Sequence, residues 1–206
     1  HLQGTLCDGA STATLSAILA AREKATGFSV NRHGFTCNSA VLRVYTSAEA
    51  HSSVEKAAKM AGIGQENVVK IAVDAQFRLQ PQLLQEAIAE DINKNYTPLC
   101  VVATLGTTGC TAIDPLEEIA NICNRFSVWL HVDAAYAGTA LLLPEYRWML
   151  KGMEQADSFV FNPHKWLFTN FDCSAFYVKD KDTLLKTFSI LPEYLKTEHR
   201  NQVNNY

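Results

Sequence analysis

The sequence predicts an α/β domain built on a largely parallel sheet. Short runs such as LCVVATL (99–105) and SVWLHVD (127–133) are apolar on both faces, as strands covered by helices on each side must be. Segments of helical composition separate these runs, so strand and helix alternate along the chain. The composition is that of an ordinary globule: 206 residues, 48% hydrophobic and 19% charged, enough for about one domain with a substantial core.

Taken in order, Ser11 to Ala25 is Ala-rich with apolar residues at 15, 18 and 19, which predicts a helix capped by Ser11 or Thr12. Ala40 to Tyr45 (AVLRVY) reads as a strand. Ser52 to Ala61 reads as a helix with Ser52 or Ser53 as cap and Glu55 in its first turn. Asn67 to Val73 is a β-branched strand, and Pro81 to Lys94 a helix with proline in its first turn. Leu99 to Leu105 is a buried strand, Pro115 to Arg125 a helix capped by Asp114, and Ser127 to Asp133 another buried strand. Pro144 to Gly152 suggests a short helix, Ser158 to Phe161 and Cys173 to Val178 strands, and Asp180 to Phe188 a helix. From Pro192 onward the chain is polar and aperiodic, a loop of the kind that often serves as a lid.

Eighteen Lys and Arg against 21 Asp and Glu give a net charge of −3, which excludes a polybasic nucleic-acid surface and a long acidic tail. The longest apolar candidate, Ala137 to Pro144, is too short for a membrane span. The opening residues carry neither a basic nor an apolar leader, and no initiator Met, so a piece of a longer cytoplasmic protein is expected. Six cysteines (7, 37, 100, 110, 123 and 173) make no Cys-x-x-Cys pair and read as reduced thiols, not a zinc ribbon or disulfide scaffold. Asn95-Tyr96-Thr97 is a glycosylation sequon that this setting makes a chance match.

In open α/β sheets ligands bind outside the carboxyl ends of the strands. Four loops qualify: Ser47 to Ser52, Gly106 to Gly109, Ala134 to Gly138, and Asn162 to Trp166. Lys165, between His164 and Trp166, is expected to be partly desolvated and so a candidate amine for covalent attachment; alone, a loop Lys would read as a solvated charge. Asp133 ends its strand before two small alanines and could pair with a cationic ring nitrogen, hold a metal or simply make a turn. His51 could stack on a planar ligand, act as acid or base, or satisfy a helix end. Ser11, after Gly9-Ala10, offers a hydroxyl and free N–H groups at a helix start, a seat for phosphate or a plain cap. Together these four needs match one cofactor, pyridoxal phosphate: a Lys for its aldehyde, an Asp for its ring nitrogen, a flat side chain for its face and a helix start for its phosphate. A metal site from His51, His131, Asp133 and His164 has no His-x-x-x-His or Cys-x-x-Cys spacing behind it, although His131 and Asp133, two apart on one strand, share a face and could supply two ligands. Gly62-Ile63-Gly64 lacks the third glycine of a dinucleotide fingerprint.

The stretches AEAHSSVEKA, VVATLGTTG, WLHVDAAYAG and DSFVFNPHKWLFTNFDCSA resemble the group II pyridoxal-phosphate decarboxylases, most of all the aromatic-L-amino-acid decarboxylases, including the tyrosine and tryptophan enzymes. The likeness runs from about Asp8 to Tyr206, and HVDAAYAG with NPHKW at this spacing is its most specific part. It implies the aspartate-aminotransferase-type (fold type I) large domain, with a mainly parallel sheet and flanking helices, working as a homodimer without nucleic acid or membrane. Residues 1–191 would be part of that pyridoxal-phosphate-binding domain and 192–206 a mobile catalytic loop; an N-terminal swapped segment and a small C-terminal domain would lie outside this chain.

The resemblance implies a role for each matched residue. Lys165 would carry the cofactor, Asp133 would pair with its ring nitrogen, His51 would cover one face and Ala135 the other. Ala10, Ser11, Asn162 and His164 would bind the phosphate, and Thr108 would lie near the ring substituents. Tyr206 would return a proton to Cα after carbon dioxide leaves; related aldehyde synthases carry Phe there. The implied activity is decarboxylation of an aromatic L-amino acid to its amine. Its rivals are an aldehyde synthase, a glutamate or histidine decarboxylase, and an inactive domain that only dimerises or binds. His51, where the glutamate enzymes tend to have Gln, speaks against a glutamate decarboxylase, and the intact set of Lys165, Asp133, His51 and Tyr206 speaks against an inactive domain.

Overall fold

A computed structural model describes residues 2–37 and 40–190. Its strands are β1 (Gln3–Cys7), β2 (Leu42–Ser47), β3 (Val68–Ile71), β4 (Thr97–Thr104), β5 (Trp129–Asp133), β6 (Ser158–Phe161) and β7 (Ser174–Val178). They form one seven-stranded sheet in the order β1-β7-β6-β5-β4-β2-β3. Neighbours from β6 through β3 are parallel, and β7 runs against both of its partners, β6 and β1. This is the mainly parallel α/β architecture that the doubly apolar strands predict.

The helices are α1 (Ala10–Ala25), α2 (Ser29–His33), α3 (Ser53–Met60), α4 (Pro81–Asn93), α5 (Leu116–Phe126), α6 (Pro163–Trp166) and α7 (Lys181–Phe188). Strand alternation sorts them onto two faces. Cys100 and Val102 of β4 point toward α1 and α3, where Ala13, Ala17, Ile18, Ala57 and Ala58 are buried. Val101 and Ala103 point toward α4 and α5, where Leu84, Ile88, Ile119 and Ala120 are buried. The alanines of α1 let that helix lie close on the sheet, and the short side chains leave its front end near the strand termini. Among the described residues, no helix is long and apolar enough to cross a membrane.

Several local expectations are corrected. Neither Ser11 nor Thr12 caps α1: Gly9 occupies the cap position with extended backbone, and Ser11 lies inside the first turn. Ser52 holds the cap position of α3 but makes no side-chain capping bond. Asp114 does not cap α5, whose cap position is Pro115. Its carboxylate accepts N–H bonds from Leu79 (2.8 Å) and Thr104 (2.8 Å) instead, stapling two segments of backbone. Residues 144–150 form a 3-10 helix that opens on Pro144. β1 carries no clean alternation and is a strand because β7 offers it a partner.

Candidate active site

The carboxyl ends of β4, β5 and β6 and the front of α1 surround a cavity of about 270 Å³. Nine of the ten candidate residues line it: Ala10, Ser11, His51, Thr108, Asp133, Ala135, Asn162, His164 and Lys165. The tenth, Tyr206, lies outside the described residues.

Each wall follows from local geometry. The first turn of α1 has neither a side-chain cap nor an acidic residue, so its leading N–H groups and the positive end of its dipole are offered to the cavity. Thr108 stands at the tip of a loop closed by paired backbone: Gly106 and Thr107 N–H both donate to Ala112 O, and Ala112 N–H donates back to Thr107 Oγ1 (2.9 Å). Gly106 sits at φ 86°, a left-handed conformation that favours glycine, and a Cβ there would lie 2.9 Å from the Ala137 Cβ. His51 Nδ1 accepts the Ser53 N–H (3.2 Å), which leaves Nε2 as the protonated nitrogen of a neutral ring.

Asp133 ends β5 almost fully buried, and its Oδ1 accepts the N–H of Ala135 at 3.0 Å. Burial raises its pKa above the ordinary carboxylate value, while that N–H and the neighbouring Lys165 and His51 side chains pull it down. The loop after β5 is stitched to the loop after β6: Asn162 N–H donates to Ala135 O (3.2 Å) and Trp166 Nε1 to Tyr136 O (2.7 Å). Tyr136 and Trp166 also stack, with centroids 5.6 Å apart. These ties fix the single helical turn that carries Lys165 beside Asp133. Lys165 itself is exposed, contrary to the desolvation expected from its aromatic and strand neighbours. In the segment that follows it, Phe168 and Phe171 are exposed as well.

Asn162 and His164 form a donor pair. The Cys173 N–H donates to His164 Nδ1 (2.9 Å), so a neutral ring carries its proton on Nε2. The Asn162 Oδ1 accepts from Ser174 Oγ (2.8 Å), and its Nδ2 lies 3.3 Å from that same Nε2. Two N–H groups so placed need a shared acceptor, and an anion is the natural one.

Asp8, Gly9, Ser53, Thr104, Gly106 and Phe171 also line the cavity. Gly9 and Gly106 were visible as loop glycines beside the named candidates, and Ser53 only as a possible cap. Nothing in the sequence marked Asp8 or Thr104. Phe171 packs on His164, with ring centroids 4.5 Å apart, from a segment with no periodicity.

His131 does not join the set. It is fully buried, with Nδ1 2.9 Å from Ser158 Oγ and Nε2 3.4 Å from Thr14 Oγ1. Nδ1 ties β5 to β6 and Nε2 ties the sheet to α1, so the four-residue metal arrangement of His51, His131, Asp133 and His164 does not assemble among the described residues.

The pyridoxal-dependent decarboxylase conserved domain matches residues 2–206. The aromatic-L-amino-acid decarboxylase of Mus musculus is 45% identical over 201 residues, which are 96% of this chain and 41% of that protein. The histidine decarboxylase of Homo sapiens is 48% identical over 199 residues, 94% of this chain and 29% of that protein. The chain thus spans well under half the length of either relative. The crystal structure of Oryza sativa TDC with PLP and tryptamine superposes with a TM-score of 0.90 at 37% identity, covering 98% of this chain and 42% of that one.

Proposed function

The chain belongs to the pyridoxal-dependent decarboxylase family, and from that premise we propose that its protein removes carbon dioxide from an aromatic L-amino acid, with pyridoxal 5'-phosphate held in the 270 Å³ cavity. The observation that carries the reading is the convergence there of an amine, a buried carboxylate, an imidazole and a donor-rich anion seat. Those groups fit the cofactor's four chemical needs. The aromatic substrate class is supported by the mouse aromatic-L-amino-acid decarboxylase and by the tryptamine in the rice structure. The human histidine decarboxylase adds an imidazole amino acid to the substrates worth testing.

When bound, pyridoxal phosphate supplies an electron sink for the pair left at Cα as the carboxylate departs. Lys165 would hold the cofactor through its amine and release it to the substrate's amino group. Asp133, desolvated and anchored by the Ala135 N–H, would hold a proton on the ring nitrogen, an electrostatic effect that grows as water is excluded. His51, its Nδ1 tied to Ser53, would cover one ring face, and Ala135 would leave room at the other. Ala10, Ser11, Asn162 and His164 would orient the phosphate, and Thr108 would border the ring substituents. Tyr206 would return the proton to Cα, a role that rests on the sequence resemblance. A homodimer is part of this reading, supported by the exposed aromatic rim of Tyr136, Trp166, Phe168 and Phe171 beside the cavity.

The test is Lys165→Ala. Borohydride reduction after addition of pyridoxal phosphate should label residue 165 in the natural sequence and nothing in the variant. Carbon dioxide release from tryptophan, tyrosine, dihydroxyphenylalanine and histidine should disappear while the far-UV circular dichroism is kept. Full activity in the variant would overturn the reading.

A further inference from the structure

We propose that Ser174 is a positioning residue for the cofactor's phosphate: it holds the Asn162 amide with its N–H side toward the anion. The proposal rests on the pyridoxal-phosphate reading above. Ser174 is the first residue of β7, fully buried, and its hydroxyl donates to Asn162 Oδ1 at 2.8 Å. Asn162 is itself 3% exposed, so neither end of its amide can turn to bulk water for a partner.

An amide has two ends of opposite polarity, and which end meets the anion decides between attraction and repulsion. With the Ser174 hydroxyl on Oδ1, Nδ2 is presented beside His164 Nε2. Remove the hydroxyl, and that orientation leaves Oδ1 buried without a donor, at a cost of about 1–3 kcal/mol. The alternative is a flipped amide whose oxygen accepts from His164 Nε2–H. That orientation satisfies the oxygen but consumes one phosphate donor and turns an acceptor toward the anion. Either outcome weakens phosphate binding and leaves the aldehyde and ring contacts alone. The neighbouring residue completes the device: the Cys173 N–H fixes His164 through Nδ1, so two successive residues at the start of β7 set both donors. Ser174 also stands opposite Cys7 in the β1–β7 register, and Cys7 leads through Asp8 into the front of α1. One rung of the sheet therefore locates the two sides of the anion seat.

The experiment compares pyridoxal 5'-phosphate with pyridoxal, which has the same aldehyde and ring but no phosphate. Dissociation constants are measured by absorbance titration and equilibrium dialysis on the full chain, for the natural sequence, Ser174→Ala and Ser174→Thr. Ser174→Ala should lose about tenfold in affinity for pyridoxal phosphate, equal to about 1.4 kcal/mol, with pyridoxal unchanged. Ser174→Thr, which keeps the hydroxyl, should recover the loss. Ser174→Cys, close in size but a weak donor, should show an intermediate and equally selective loss, and it serves if the alanine variant does not fold. Equal losses for both ligands would mean that Ser174 acts only through the fold, and no loss would mean that it does not act at all; either result overturns the proposal. If the natural sequence itself bound the two ligands equally, or bound neither, the cofactor reading would fall first and this inference with it.

Discussion

At the scale of single residues, the polar groups under the sheet divide by what they hold. His131 is locked between Ser158 and Thr14, and burial pushes its pKa down to about 3 from 6.5. The unfolded chain takes up that proton below about pH 6.5 and the folded chain does not, so this residue's contribution to stability is complete above 6.5 and is lost as pH falls toward 3. Between pH 7 and 5 the loss is about 2 kcal/mol. Asp114 works the other way: burial raises its pKa to about 6, so the folded state keeps a proton that the unfolded state releases near 3.8. Its contribution therefore declines as pH rises from about 4 to 6, and the two groups oppose each other in that window. Chemical denaturation of His131→Gln at both pH values should show lower stability at pH 7, but a loss between pH 7 and 5 smaller by about 2 kcal/mol than in the natural sequence. An unchanged pH slope would mean that another group governs it.

At the scale of elements, α1 shows how a helix can give up stability to make a site. It begins without a side-chain cap or an acidic first turn, both of which favour a helix start. Ser11→Asp should raise thermal stability, by about 0.3–1 kcal/mol, while lowering affinity for pyridoxal phosphate at least tenfold, on the order of 1.4 kcal/mol. Parallel thermal melts and titrations would show the opposed signs; a variant with both quantities raised would remove the phosphate from that helix end. The same element marks the limit of what could be read from sequence. Its extent was legible from Ala-rich periodicity, but its cap was not, because Ser11 and Thr12 have capping side chains and only backbone conformation shows that Gly9 comes first. β4 and β5 were legible because they are apolar on both faces. β1 was not, because an edge strand with exposed positions owes its form to a partner distant in sequence. Asp114 looked like a cap because it precedes a helix, and only tertiary structure brings Leu79 within its reach. The candidate residues that line the cavity were legible where they follow a strand, as Asp133, Asn162 and Lys165 do. Ser174 was not, because it acts on Asn162 from the next strand.

At the scale of the whole molecule, the cavity is a meeting point of segments far apart in the chain: the front of α1, the loops near 51 and 108, and the ends of β5 and β6. A ligand touching all of them stabilises the assembled sheet and has no equivalent hold on the unfolded chain. Pyridoxal phosphate at one hundred times its dissociation constant should add about 2.7 kcal/mol, read as a rise in Tm by calorimetry. Pyridoxal at the same absolute concentration should add less. No shift with either compound would argue against a site that bridges these segments. The β1–β7 pairing also sets a timetable for biosynthesis. Cys7 leaves the ribosome about 170 residues ahead of its sheet partner Ser174. At about 5–20 residues per second, this is roughly ten to thirty seconds during which the front of α1 lacks that anchor and the nascent chain has no finished anion seat to offer.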